Sequence, residues 1–353
     1  MKQFLTILLV LFFVNANSQA LGGSSVFNFL KISNTPQLSA LGGVNVSQPS
    51  NDVGMVFNNP ALLKPAMHSQ MNAVFNDFYG DINVYHLSLG YRNEKLNTNF
   101  AWGLNYFGYG STIETDAAGN QLGKFRPVDW VMQVSASRAY LEKWNYGATL
   151  KFISSNYGQY RSNGVALDIG VLFHDTAKLF SASLVAKNMG VQIKKYRDSD
   201  RDELPFELQA GVTKRFAQAP FSISFTAQRL HQFDIGYNDT TFNNENGFDN
   251  RDKHKFAAGK LLDHLILATT VYAGEKIEVQ AGYNFLRRRE LTIGNISNGL
   301  NGFSLGVGVL LGKLQIRYAR AYYQANSAYN QIGLNMQLNQ YFGLGKFGER
   351  IGW

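Results

Sequence analysis

The chain has 353 residues, 45% hydrophobic and 16% charged, with 34 Gly, 18 Tyr, 26 Phe and only 7 Pro. That balance favours β structure, in one large domain or two ordinary ones. It contains no cysteine, which excludes disulfide support and thiolate metal sites. The formal charge of +8 reads as a Lys/Arg excess in connections, with no basic face of the kind nucleic acid requires.

In chain order, Lys2 supplies a positive n-region, Phe4 to Val14 an apolar h-region, and Ala16-Asn17-Ser18 a small-residue cleavage site, the pattern of a secretory signal over 1–18. The apolar run of about 11 residues is too short for a helical span. The richest later stretch, 261–273, is interrupted by Asp263 and His264, which argues against a helical membrane protein. Residues 19–70 show no strand period. They carry an apolar cluster (Val26, Phe27, Phe29, Leu30 and Ile32), then Pro36, the Ala40-Leu41-Gly42-Gly43 turn, and Asn59-Pro60-Ala61-Leu62-Leu63. Large apolar side chains need cover, so this stretch is expected to be a partly helical plug or hatch.

From about residue 71 apolar residues alternate with small or polar ones. Ile277, Val279, Ala281, Tyr283 and Phe285 interleave with Glu278, Gln280, Gly282 and Asn284, and Ile332, Leu334, Met336 and Leu338 interleave with Gly333, Asn335, Gln337 and Asn339. Successive strand side chains point to opposite faces, so one face meets an apolar medium and the other water. Fourteen strands are expected, near 71–79, 82–92, 98–108, 126–138, 144–157, 163–173, 179–188, 206–215, 221–229, 263–273, 276–287, 302–312, 313–323 and 328–341. Most have the length of about ten residues that a tilted strand needs to cross a bilayer.

The connections sort by length as well. Those at 93–97, 140–143, 174–178, 217–220, 273–275 and 312–313 are brief, whereas 109–125, 189–205, 230–262 and 288–301 are long. Short periplasmic turns and long external loops are the habit of outer-membrane barrels. The expected fold is all-β: a closed antiparallel transmembrane barrel over 71–342 in the bacterial outer membrane, with a plug at 19–70, a periplasmic end at 343–353, and both termini periplasmic.

Chemistry-bearing motifs are sparse. Gly343-Leu344-Gly345-Lys346-Phe347-Gly348 has dinucleotide-binding spacing but no βαβ unit around it. Asp198, Asp200 and Asp202 have calcium-loop spacing, yet Glu203 and Gln209 stand where Gly and Glu are needed. No His-Glu-x-x-His pair or Gly-x-Ser-x-Gly elbow is present. No catalytic residue, metal site or cofactor is therefore expected. His86 falls on a lumen face, and Lys151 and Asp168 fall on the polar faces of adjacent expected strands, where they suit a lumenal ion pair. The lumen-face glycines Gly147, Gly170, Gly211, Gly282, Gly306 and Gly308 leave space or permit curvature. Two basic clusters, Lys194, Lys195, Arg197 and Arg201 in a long loop and Arg287, Arg288 and Arg289 at the outer end of a strand, could bond lipopolysaccharide phosphates or a partner. Asp234, Asp239, Asp249 and Asp252 mark the 230–262 loop as a partner surface.

The runs Gly22-Gly23-Ser24-Ser25-Val26-Phe27-Asn28-Phe29-Leu30, Ala40-Leu41-Gly42-Gly43 and Asn59-Pro60-Ala61-Leu62-Leu63 resemble the start of the PorV/PorQ family of Bacteroidetes outer-membrane proteins. The later run Ala281-Gly282-Tyr283-Asn284-Phe285-Leu286-Arg287-Arg288-Arg289-Glu290-Leu291 is similar to the PorQ branch, and the Asn-Pro-Ala element is also similar to long-chain fatty-acid transporters of the FadL type. The resemblance implies a fourteen-stranded barrel with an N-terminal hatch. It further implies a non-catalytic anchor for a type IX secretion cargo-attachment complex, with a PorV-like barrel, a PorU-like sortase and PorZ as partners. The alternative is a FadL-like transporter of hydrophobic small molecules.

Overall fold

The computed structural model describes residues 25–116, 118–196, 202–236, 244–245, 258–291, 299–322 and 327–339. The expected signal at 1–18 and the end at 343–353 lie outside these residues. The strands are β1 (Gln70–Asp77), β2 (Asn83–Asn93), β3 (Thr98–Gly108), β4 (Thr112–Thr115), β5 (Gln121–Phe125), β6 (Val128–Tyr140), β7 (Trp144–Tyr157), β8 (Tyr160–Asp175), β9 (Phe180–Lys194), β10 (Glu207–Arg215), β11 (Phe221–Ala227), β12 (Leu265–Ala273), β13 (Ile277–Asn284), β14 (Phe303–Leu311), β15 (Leu314–Tyr322) and β16 (Ala328–Gln337). Among the described residues fourteen of them form one closed antiparallel barrel, β3 pairing with β6 and β1 with β16. These are the fourteen expected strands. β4 and β5 form a separate hairpin inside the 109–125 connection, where no structure was expected; the Asp116 carboxylate accepts from the backbone of Ala118 and Asn120 to turn the chain.

The wall has the two faces that the alternation requires. Outward, Val271, Val279 and Val307 sit side by side in register, as do Val134, Leu150 and Leu167, and all are exposed. An apolar band this extensive needs lipid against it. Inward, Gln133, Thr149, Lys151, Asp168 and Gln280 are buried. Ile277 and Val279 face outward as expected, but Phe285 does not continue their row. The Asn284 side chain accepts from the Arg287 amide and starts a short helix, so the strand expected to reach 287 ends at Asn284.

Among the described residues the α-helices include α1 (Pro36–Ala40) inside the barrel and α2 (Ala258–Asp263) and α3 (Phe285–Glu290) next to the ends of β12 and β13. Thr35 caps α1 by accepting from the Leu38 amide, with Pro36 in the first turn. Residues 25–69 otherwise fold as short 3-10 turns and occupy the lumen, where Leu41, Val46, Val53, Met55 and Ala61 are fully buried.

The described part of the plug starts at the end of the barrel opposite to the start of β1. Ser25 and Val26 bridge to Glu203, at the end carrying the long connections. At the other end, the Ser69 carbonyl accepts from Leu338. The described segment therefore runs the length of the lumen from the long-loop end to the short-turn end, where β1 begins and β16 finishes.

Candidate functional site

The lumen is where the sequence places its unusual groups, and the plug engages them all round the wall. At the short-turn end Arg317 on β15 donates from Nε to Glu278 at 2.6 Å and from Nη1 to Asp52 of the plug at 3.2 Å, all three groups being buried. Asp52 also accepts from the Gly54 amide and the Asn72 side chain, so one carboxylate shapes the plug turn and holds it to β1 and β15.

Midway, Lys151 on β7 and Asp168 on β8 form the expected ion pair, Nζ to Oδ2 at 2.5 Å, with side chains 1% and 0% exposed. A β-bulge in β9 completes this cluster. Leu167 pairs with Met189 but Ile169 pairs with Ala186, so Lys187 and Asn188 together oppose Asp168. Two residues against one turn both of them inward, where alternation alone would send one out. The Asn188 amide donates to Asp168 Oδ1 at 2.7 Å, its side-chain oxygen accepts from Lys151 at 2.9 Å, and Lys187 donates to Asn58 of the plug at 3.0 Å. The sequence signal is a phase change: inward residues are Ser181, Ser183, Val185 and Lys187, then Asn188 and Gln192.

His86 is on the lumen face, buried, with Nδ1 donating to Asn105 Oδ1 and Nε2 accepting from Ser88 and from Asn34 of the plug. With both ring nitrogens used it is a neutral packing group. Elsewhere around the wall, Ser39 donates to Gln331 at 2.5 Å, Ser47 bonds Thr213 at 2.8 Å and Asn59 donates to Ser183 at 2.9 Å.

The lumen glycines mark the plug's footprint. A Cβ on Gly282 would stand 2.5 Å from Leu41 C and 2.7 Å from the Ala40 carbonyl oxygen, and one on Gly147 would stand 2.6 Å from Pro60 C. Gly170, Gly211 and Gly306 likewise face Asn59, Val46 and Ala40, whereas Gly308 faces Glu278. Space and curvature were the readings available from sequence; the space is taken by plug backbone at Gly147 and Gly282, by plug side chains at Gly170, Gly211 and Gly306, and by a wall side chain at Gly308.

At the long-loop end the surface residues fall in several places. Lys194 closes β9, exposed, with its carbonyl accepting from Ser162, and Lys195 is half-buried beside it. Arg197, Arg201, Asp239, Asp249 and Asp252 lie outside the described residues. Arg287, Arg288 and Arg289 sit on α3 instead of a strand end, half-buried, and Arg289 pairs with Asp263 at the end of α2. Asp234 pairs with Lys260 on α2 at 2.9 Å. Arg289 thus ties α3 to the end of the 230–262 connection, and the Asp234–Lys260 pair closes that connection on itself. Among the described residues no group of three or more metal-ligating side chains converges.

No described protein family and no curated protein matches the sequence. Among solved structures, the CymD monoaromatic hydrocarbon channel is similar with a TM-score of 0.51 and 14% identity, covering 88% of this chain and 97% of that one. The TodX monoaromatic hydrocarbon channel deltaS2 mutant gives 0.47 and 12%, covering 85% and 97%, and a Pseudomonas aeruginosa FadL homologue gives 0.44 and 10%, covering 86% and 98%. With its closed lumen-plugged sheet and outward apolar band, the chain is a closed membrane-type β-barrel whose fold is similar to that of the CymD channel.

Proposed function

We propose that this protein is a non-catalytic outer-membrane anchor for a type IX secretion cargo-attachment complex, with its short turns in the periplasm and its long connections at the cell surface. The observation that carries this reading is the filled lumen. Plug and wall are bonded to each other around the circumference, from Ser183 and Thr213 to Gln331 and Arg317, which suits a rigid support. The sequence runs that resemble the PorV/PorQ family add to it, because they meet in space: Ala40 to Gly42 pack on Gly282 of the later run. On this reading the partners are a PorV-like barrel, a PorU-like sortase and PorZ. Lys194, Lys195, Arg197, Arg201, Arg287 and Arg288 would face lipopolysaccharide phosphates, and the 230–262 loop would meet protein.

The alternative is a transporter of hydrophobic small molecules, favoured by the fold shared with a monoaromatic hydrocarbon channel. Deleting the protein separates the two. Loss of cargo secretion or surface attachment, together with recovery of sortase-complex components on the tagged barrel from native outer membranes, is the expected result. Normal cargo attachment with lost uptake of a hydrophobic compound would replace the anchor by the transporter. Exchanging the 230–262 loop for a short Gly-Ser connection should preserve the barrel and weaken partner recovery; undiminished recovery would overturn the loop assignment.

A further inference from the structure

The outward face of the wall changes character within one register step on three adjacent strands. Tyr318 on β15, Ile332 on β16 and Phe75 on β1 lie side by side, all exposed. One step towards the long connections the same face carries Arg320, Asn330 and Asp77, again side by side. The lipid-facing band ends here, and tyrosine and arginine suit the boundary between hydrocarbon and headgroups.

Arg320 stands apart from the other arginine of its strand. Arg317 points inward, buried, and meets Glu278 and Asp52. Arg320 points outward, exposed, between the buried Ala319 and Ala321. No carboxylate among the described residues forms an ion pair with it, not even the exposed Asp77 on the far side of Asn330. The guanidinium is nevertheless held in place. Its Nη1 donates to Asn330 Oδ1 at 3.1 Å, the same oxygen that accepts from the Tyr318 hydroxyl at 2.7 Å. An amide and a phenol carry no charge, so the cation is oriented without being neutralised.

A lipid-facing arginine is costly unless its charge reaches a polar partner. At the edge of a bilayer that partner is phosphate, which a planar guanidinium grips through parallel hydrogen bonds. Next to it, Tyr318, Ile332 and Leu305, the register partner of Arg320 on β14, form an exposed apolar bed. An acyl chain covers such a bed; a free phosphate ion would leave it bare.

We propose that Arg320 is the headgroup contact of a bound phosphorylated lipid in the leaflet at the long-loop end, its phosphate on the guanidinium and an acyl chain along Tyr318, Ile332 and Leu305. The site needs only a barrel set in a bilayer and stands for an anchor and a transporter alike. It lies on the wall, apart from the basic clusters of the long connections.

Native mass spectrometry of the full-length barrel in a nonionic detergent tests it. The probe is dioctanoyl phosphatidic acid; dioctanoylglycerol supplies the same chains without phosphate, and inorganic phosphate the headgroup without chains. Retention of phosphatidic acid at concentrations where neither control is retained is expected. Arg320→Gln should weaken the tightest phosphatidic acid binding by about tenfold or more, since the charge-assisted contact is lost. Arg320→Lys should weaken it about two- to fivefold, because an ammonium keeps the charge without the fork. Lys124→Gln, which takes one exposed charge from the β4–β5 hairpin, should leave it unchanged. No retention of phosphatidic acid, equal retention of dioctanoylglycerol, displacement of the lipid by an equal concentration of inorganic phosphate, unchanged binding in a folded Arg320→Gln barrel, or the same loss in Lys124→Gln would overturn the proposal.

Discussion

The lower lumen and the long-loop mouth are built from the same wall and the same plug, yet they treat buried charge differently. Below, each described acid meets a base: Asp52 and Glu278 meet Arg317, and Asp168 meets Lys151. At the mouth Asp129 meets only phenols, and a cavity opens beside it. Satisfied polar networks rigidify, whereas a buried group left unsatisfied forfeits that gain. The lower lumen therefore ties wall and plug together through paired charge, while the mouth leaves one buried carboxylate to phenols alone.

That division can be broken in graded steps. The largest effect is expected from Arg317→Met, which leaves two buried carboxylates without a cation and should destabilise by about 3–5 kcal/mol, read as a lower denaturant midpoint for loss of the folded, heat-modifiable band. An unchanged midpoint would show that the short-turn clasp does not hold the plug. Val279→Arg, on the lipid face, should cost about 2–4 kcal/mol if it stands near the bilayer midplane, measured by urea titration in vesicles while the plug remains protected from protease. Gly282→Ala presses a methyl onto the plug backbone and should cost about 1–3 kcal/mol, with amide exchange rising at 40–43 before it rises in the strands. The smallest effect is expected at the mouth's outer surface: Lys194→Gln should stay within about 0.5 kcal/mol by the same titration, because the side chain is exposed and only its carbonyl is engaged.

The barrel was legible because lipid imposes a rule on every strand: the outward position must be apolar, so Ile277 and Val279 alternate with Glu278 and Gln280 whatever the lumen holds. Lys151 and Asp168 were legible for the complementary reason, as charges on the inward phase of neighbouring strands. The same rule misled at Phe285, where the alternation continues in letters but the Asn284 cap has already turned the chain into α3. The bulge at Lys187 and Asn188 shows only as a shift of phase, which a short strand hides. The lumen glycines were ambiguous in principle, since a glycine that admits a plug backbone and one that bends a sheet have the same letter. The cluster at the mouth escaped altogether: Tyr109, Asp129, Tyr157 and Tyr196 come from separate connections and strands, and the side-by-side pairing of β3, β6, β7, β8 and β9 brings them together.

The route of residues 25–69 through the lumen has a consequence for how the molecule comes into being. A ring that had already closed could admit this segment only by drawing a free end through a passage that the finished protein fills. The seam from Gln70↔Gln337 to Asp77↔Asn330 must then form around a chain already inside, and bonds such as that between Ser39 and Gln331, separated by 292 positions, must wait for the last strand to arrive. Such distant pairings are slow to make. The first part of the chain acts as the mandrel on which the wall is wound, and assembly of the outer surface is timed by the final strand.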